Sequence, residues 1–151
     1  MPDKEQIKNE DIVTWNENFA TGFEHLDDQH RELIRLTNQL YRACLTGIDV
    51  LDAAFKETMS SMVEFVKYHF SSEIELLMKI NYPHYKLHKA QHDALIKDII
   101  AAVGEYSSGK KFTPHNFVRT LKDWVFGHIA YYDKGYATFA ADLKAKENEK
   151  I

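Results

Sequence analysis

The sequence predicts an all-α protein, an antiparallel up-down-up-down four-helix bundle with an N-terminal arm and a short C-terminal helix. Three observations lead to this prediction. The 151 residues include only six glycines and three prolines, apolar residues recur mostly at helical spacing, and the breaks between periodic segments are short. With 44% hydrophobic residues the chain can bury a core as one domain. We expect this domain to span 1–151, with the arm at 1–22, the bundle at 23–133, and a C-terminal helix and tail at 134–151.

The first two predicted helices follow the arm. Apolar residues return to one face of a helix from Phe23 to about Cys44, and Gly47 follows as a stop signal. Asp49 is a candidate cap for the second helix. This helix is predicted to be the longest of the four, and it ends before the turn-forming residues Asn81–Pro83.

Proline and glycine also mark the remaining helices. Pro83 suits the first turn of a third helix, which the segment Ser107–Gly109 breaks. Thr113 and Pro114 are typical of a cap and a first-turn proline, and they begin the fourth helix. A further short helix is expected from Gly135 to Leu143, and the charged residues that follow it are expected to be a solvated, frayed tail.

The charge and cysteine content exclude several classes of partner. The net charge is −4, the pI is near 6.0, and the basic residues are scattered among acids. Nucleic acid and anionic membranes are therefore disfavoured. Cys44 is the one cysteine, so no intramolecular disulfide can form. No apolar run approaches the roughly 20 residues that span a bilayer. We expect a cytoplasmic monomer without an export signal or membrane anchor.

Five histidines and two acidic residues are candidate metal ligands. They are distributed over four predicted helices: His30, His69, Glu73, His88, His92, His128 and Asp133. His69 and Glu73 are four residues apart, as are His88 and His92, so that each pair lies on one face of its helix. Each pair can therefore face a single centre, and the seven residues together form a ligand set for two metal ions.

The number of donors indicates an incomplete coordination shell. Two six-coordinate ions need about twelve donor positions. If both carboxylates bridge the ions and a solvent-derived oxygen bridges them too, three imidazoles complete one ion and two leave the other one ligand short. An open position is where a small molecule binds, so the count favours binding of an exogenous ligand over a purely structural site.

One spacing does not fit a regular α-helix. His128 and Asp133 are five residues apart, which separates them by about 140° around the helix axis. The fourth helix is therefore expected to end or distort between Ile129 and Asp133, if both side chains are ligands.

Each candidate also has a simpler interpretation, since a single buried histidine is more often a hydrogen-bonded core residue than a ligand. Seven such groups in one small core without metal would leave several unpaired, at about 1–3 kcal/mol each. Asp27, Asp28 and Gln29 could orient His30 or a neighbouring ligand, but an ordinary role at a helix start is favoured for them. Three histidines at predicted helix starts are left out of the site: His25, His84 and His115.

The ordered segments Leu26–His30, His69–Glu73, His88–His92 and His128–Asp133 resemble the hemerythrin family, specifically its single-domain bacteriohemerythrins. The resemblance extends over roughly residues 13–140. It implies a bundle around two iron ions, a non-haem diiron centre with an oxo or hydroxo bridge, that binds oxygen reversibly.

The resemblance also implies a role for each ligand. His88, His92 and His128 would complete the six-coordinate iron, and His30 and His69 would hold the five-coordinate iron. Glu73 and Asp133 would bridge the two ions. Four apolar residues next to these ligands resemble the family's oxygen pocket: Leu33, Phe70, Trp124 and Ile129. A dry pocket of this kind admits oxygen and excludes anions.

The resulting functional hypothesis is a non-enzymatic protein that stores or buffers oxygen, or delivers it to an oxygen-consuming enzyme. Five neutral imidazoles donate less charge than the Glu-rich ligand sets of diiron oxygenases, which favours release of oxygen over its activation. Two alternatives remain: sensing of oxygen, redox state or nitric oxide, and turnover of peroxide or nitric oxide. Such sensors commonly carry an output domain, and this chain shows no such segment. The donor set also accepts manganese or zinc.

Overall fold

The computed structural model describes residues 11–45, 48–107 and 114–149, and within these ranges the regular structure is helical. A 3₁₀ turn, Glu17–Phe19, precedes the first helix. Five α-helices follow: α1 (Glu24–Cys44), α2 (Ile48–Lys79), α3 (Tyr85–Ser107), α4 (Pro114–His128) and α5 (Lys134–Glu149). A π-helical segment, Ile129–Asp133, joins α4 to α5. The predicted four-helix bundle is confirmed, and none of these helices is long and apolar enough to cross a membrane.

Several predicted boundaries agree with the structure. Helix α1 ends at Cys44, α2 is the longest described helix with 32 residues, and Pro114 is the first residue of α4. Other predicted signals lie outside the described residues: Gly47, Ser108, Gly109, Thr113 and the first ten residues of the arm.

The predicted start of the third helix was wrong by two residues. Helix α3 begins at Tyr85, and Pro83 lies in the preceding turn. The chain reverses there because Asn81 adopts a left-handed backbone conformation, with φ of 56°, and the Tyr82 N–H donates to the Leu77 carbonyl at 2.9 Å. The turn predicted at Asn81–Pro83 is therefore present, but it also includes Pro83, which the sequence interpretation had assigned to the first turn of the helix.

The C-terminal helix is longer than predicted. Helix α5 runs to Glu149, beyond the predicted end at Leu143, so that most of the expected tail is helical. The backbone stays in the right-handed helical region at both His128 and Lys134, and no turn separates α4 from α5. Alanine, lysine and glutamate dominate the extension, and all three are strong helix formers even without a buried face.

The core consists of two apolar clusters with polar residues between them. One includes Leu33 of α1 and Phe70 of α2, and the other includes Leu26 of α1 and Leu77 of α2. Along α1, His30 falls between Leu26 and Leu33. The buried histidines and acids of the bundle are therefore enclosed by apolar layers on both sides.

The described part of the arm is docked on α1. Asn38 Oδ1 accepts hydrogen bonds from the backbone N–H groups of Ile12 and Val13 at 2.9 and 3.1 Å, and Asn38 Nδ2 donates to the Val13 carbonyl at 2.8 Å. At the entry to α1, Asp27 Oδ1 accepts from both the N–H and the hydroxyl of Thr21 at 2.8 Å. These bonds hold the arm in place, including the backbone carbonyl of Phe19 that contacts the site.

Candidate metal centre

The structure brings all seven predicted ligand residues together in the bundle interior. Their nitrogen and oxygen atoms form two groups, and the atoms of each group lie within 4.8 Å of one another. One group, the three-histidine half, consists of His88, His92, His128, Glu73 and Asp133. The other, the two-histidine half, consists of His30, His69, Glu73 and Asp133. The two acidic residues belong to both halves.

In the three-histidine half, the imidazole Nε2 atoms converge on one oxygen of each carboxylate. Glu73 Oε1 lies 3.0 Å from His92 Nε2 and 3.9 Å from His128 Nε2, and it also contacts His88 Nε2. Asp133 Oδ1 lies 3.1 Å from the Nε2 atoms of both His88 and His128. His128 Nε2 is 3.1 Å from His92 Nε2 and 3.2 Å from His88 Nε2. Five donor atoms therefore surround one point.

In the two-histidine half, the other oxygen of each carboxylate is used. Glu73 Oε2 lies 3.3 Å from His69 Nε2 and 3.9 Å from His30 Nε2. Asp133 Oδ2 lies 3.3 Å from His30 Nε2. Each carboxylate thus presents one oxygen to each half, which is the arrangement of a carboxylate that bridges two cations.

The π segment allows His128 and Asp133 to face the same site. His128 ends α4, and Asp133 ends the segment that follows. In a π turn the backbone hydrogen bond spans five residues, so residues five apart lie close to one turn apart. The predicted distortion between Ile129 and Asp133 is confirmed.

Hydrogen bonds on the far side of two imidazole rings orient them. His30 Nδ1 lies 3.1 Å from the Phe19 carbonyl, and His69 Nδ1 lies 2.7 Å from Gln29 Oε1. Both oxygens accept, so each ring carries a proton on Nδ1 and turns Nε2 toward the carboxylates. The ordinary helix-start role favoured for Gln29 was therefore wrong, since this side chain positions His69.

Tyr136 belongs to the site and was missed in the sequence. Its side chain is 0% exposed, and its hydroxyl donates to Glu73 Oε2 at 3.1 Å. Burial and the nearby carboxylates of Asp133 and Glu73 raise the pKa of Tyr136 well above its ordinary value, so the phenol stays protonated. A signal was present, because Tyr136 lies one helical turn after Asp133 and therefore on the same face.

The electrostatics of the site favour positive charge. Burial alone raises the pKa of Glu73 and Asp133, but the short contacts with the surrounding histidines outweigh it, and both carboxyl groups have lowered pKa values. Burial alone lowers the pKa of His30 and His128, but the nearby carboxylates of Asp133 and Glu73 outweigh it and raise each pKa to about 9. At His92 burial dominates, and the pKa is lowered. Two buried anions therefore attract either protons or metal cations to the ring nitrogens.

Unpartnered atoms at the centre fit a bound cation. His30 Nε2 and both carboxylate oxygens of Asp133 are fully buried and have no hydrogen-bond partner among the described residues. An unsatisfied buried polar group costs about 1–3 kcal/mol. One metal ion in each half would satisfy these atoms. Imidazole with carboxylate is a donor set that suits iron, manganese and zinc.

Of the four residues predicted to form an oxygen pocket, three are buried and one is partly exposed. Leu33, Phe70 and Ile129 are buried in one apolar cluster, and the ring of Phe70 stacks on that of His92 with a centroid distance of 3.7 Å. The side chain of Trp124 is 38% exposed and lies outside this cluster of buried residues.

A helical bundle with two groups of histidines sharing two buried carboxylates defines a class of cation-binding proteins. The family model described as the hemerythrin HHE cation binding domain matches residues 21–140. The chain belongs to this family, which confirms the resemblance seen in the sequence.

Individual relatives agree with this assignment. The chain is 27% identical over 126 residues to a bacteriohemerythrin of Methylococcus capsulatus, which covers 83% of this chain and 94% of the relative. It is 29% identical over 127 residues to a bacteriohemerythrin of Stenotrophomonas maltophilia, with 83% and 80% covered. A crystal structure of wild-type hemerythrin superimposes with a TM-score of 0.77 and 26% identity, over 84% of this chain and 96% of that chain.

Proposed function

We propose that this protein binds molecular oxygen reversibly at a non-haem diiron centre. The observation that carries the proposal is the uneven sharing of ligands: both carboxylates serve both halves, while three histidines face one half and two face the other. The ion in the two-histidine half is then one ligand short, and the open position is available to a small exogenous molecule.

The distances between the side chains support an assignment of ligands. His88, His92 and His128 would hold one iron, His30 and His69 would hold the other, and the two carboxylates, together with a separate oxo or hydroxo oxygen, would bridge the two ions. Bound ferrous ions supply the electrons that hold oxygen reversibly, which no protein side chain can do.

The protein's own groups favour binding and release over chemical turnover. Phe19 and Gln29 fix two imidazoles in the orientation that leaves Nε2 free, and the Tyr136 hydroxyl holds Glu73. We propose that Leu33, Phe70 and Ile129 form the apolar wall of the oxygen pocket, because all three are buried in one apolar cluster and the ring of Phe70 lies against those of His69 and His92. We place Trp124 at the outer edge of this wall.

The wider role is proposed on simpler grounds. We propose a single-domain, cytoplasmic monomer that stores or buffers oxygen or delivers it to an oxygen-consuming enzyme. The acidic net charge argues against polyanionic partners. The unpaired, buried thiol of Cys44 supports a reducing compartment such as the cytoplasm.

Oxygen cycling tests the proposal directly. Iron-loaded, reduced protein is expected to contain about two irons per chain, to develop visible absorption under oxygen, and to lose it when oxygen is removed, over repeated cycles. Metal analysis and absorption spectroscopy on one preparation measure both properties. Irreversible bleaching in the first cycle would instead favour peroxide or nitric oxide turnover, and a single iron per chain would contradict the diiron assignment.

Leu33→Ala tests the apolar wall. The variant is expected to keep both irons but to autoxidise faster than the wild type, because the shortened side chain admits water next to His30. Leu40→Ala is the matched control, since Leu40 is equally buried in the same cluster but lies two turns further along α1. Both substitutions cost about 2–5 kcal/mol of stability. Equal autoxidation rates in the two variants would argue against Leu33 as part of the wall.

A further inference from the structure

Tyr131 and Tyr132 form a path of aromatic rings from the three-histidine half to the surface. The ring centroid of Tyr132 lies 5.4 Å from that of His128, and the ring centroid of Tyr131 lies 5.0 Å from that of Tyr132. The side chain of Tyr132 is 41% exposed and that of Tyr131 is 75% exposed. Two oxidisable side chains therefore connect a buried metal-binding histidine to solvent.

The π segment explains why these rings lie outside the site. His128 and Asp133 both point inward, so the residues between them include the outward-facing Tyr131 and Tyr132. A cavity of about 320 Å³, lined in part by both tyrosines and by His88, opens beside them. A small molecule in solution can therefore approach the outer end of the path and its middle.

The other tyrosine at the site leads to a much less exposed ring, since Tyr136 lies 6.4 Å from Tyr82 between ring centroids and Tyr82 is only 9% exposed. The ring of Tyr136 lies 5.6 Å from that of His88, but its side chain is fully buried and its hydroxyl is held by Glu73. A radical formed on Tyr136 would be out of reach of a reductant in solution, whereas one on Tyr131 would be accessible.

Resting on the diiron function proposed above, we propose that Tyr132 and Tyr131 carry one-electron oxidising equivalents from the three-histidine half to the surface. Oxygen binding is assigned to the two-histidine half, and the path leaves from the three-histidine half, which shares Glu73 and Asp133 with it. The relevant oxidant is hydrogen peroxide, which arises when a bound oxygen molecule leaves in reduced form. The path protects the centre because it moves the oxidation to Tyr131 at the surface, where a reductant in solution can reverse it.

The electron count of the process balances. One hydrogen peroxide molecule takes up two electrons and two protons and becomes two water molecules. Each of the two tyrosines supplies one electron together with its phenolic proton and becomes a neutral radical. An enediol reductant such as ascorbate then returns one electron and one proton to each ring at the surface.

The test is radical spectroscopy on the iron-loaded, oxidised protein after addition of hydrogen peroxide. Freeze-quenched wild type is expected to give a tyrosyl electron paramagnetic resonance signal that changes when ring-deuterated tyrosine is incorporated. Tyr132→Phe is expected to lose this signal. In Tyr131→Phe the signal is expected to remain but to decay more slowly with ascorbate. Tyr68→Phe is the matched control, since Tyr68 is 59% exposed on α2, and it is expected to behave as wild type.

Two results would overturn the path. One is a signal that survives in Tyr132→Phe and disappears in Tyr136→Phe, and the other is the absence of any tyrosyl signal in wild type with two irons bound. Spin trapping in wild type followed by peptide mass mapping locates the radical without any variant, and a trap at neither Tyr131 nor Tyr132 would also overturn it. If wild type cycles oxygen reversibly in the same preparations, these results reject only the path. Wild type without two irons would reject the proposed function and the path together.

Discussion

Glu73→Ala is expected to abolish binding of both metal ions. Glu73 presents Oε1 to the three-histidine half and Oε2 to the two-histidine half, so its removal takes a ligand from each. It also leaves the Tyr136 hydroxyl buried without its acceptor. The iron content after reconstitution and desalting is expected to fall from about two per chain to about none, because even indirect partners of metal ligands contribute roughly 10–100-fold in affinity. Elemental analysis of the desalted protein measures this.

Two further variants show whether the effect is specific. Glu75→Ala removes the same side chain from an exposed position two residues away on α2, and it is expected to keep both irons. His69→Ala removes a ligand from the two-histidine half alone, so one iron is expected to remain. Retention of two irons by Glu73→Ala would exclude the bridging role, and loss of both by His69→Ala would mean that the two halves do not bind independently.

The ligand set was accessible from the sequence because helical spacing constrains it. His69 and Glu73 share a face of α2, and His88 and His92 share a face of α3, wherever these helices pack. The spacing of His128 and Asp133 even predicted a local distortion, because a regular helix could not aim both side chains at one point. The sequence could not specify the kind of distortion, since a helix end and a π turn satisfy the same constraint.

Contacts across the fold were less predictable. Gln29 and His69 are 40 residues apart, and Tyr136 and Glu73 are 63 residues apart, so neither contact follows from spacing within one helix. Both depend on how the helices rotate against one another. The exposure of Trp124 has the same origin, because proximity to His128 in sequence does not decide whether a large side chain faces inward.

Removal of the metal is expected to destabilise the fold. The metal-free site leaves His30 Nε2 and both Asp133 oxygens buried without a hydrogen-bond partner in the part of the chain that the structure describes. A ligand at a thousand times its dissociation constant stabilises the folded state by about 4 kcal/mol, which corresponds to a rise of roughly 10 °C in Tm for a domain of this size. Calorimetry of the iron-loaded protein, before and after chelation under reducing conditions, measures the difference.

The stability that is lost on metal removal should depend on pH in a defined direction. In the metal-free protein the pKa values of His30 and His128 are raised from the ordinary 6.5 to about 9. A group whose pKa is raised on folding contributes stability fully below its unfolded pKa, and that stability disappears as the pH rises through the folded pKa. The Tm of the metal-free protein should therefore fall between about pH 6.5 and pH 9, because His30 and His128 release the protons that neutralise Glu73 and Asp133.

The metal-loaded protein should not show this loss, because metal ions and not protons occupy the Nε2 atoms. The Tm difference between loaded and metal-free protein is therefore expected to widen from pH 6.5 to pH 9. His25→Ala is the matched control, since His25 is exposed on the first turn of α1 outside the site, and it should leave the widening unchanged. A difference that stays constant over this range would mean that protons and metal ions do not compete for the same buried imidazoles, and the electrostatic account of the site would be wrong.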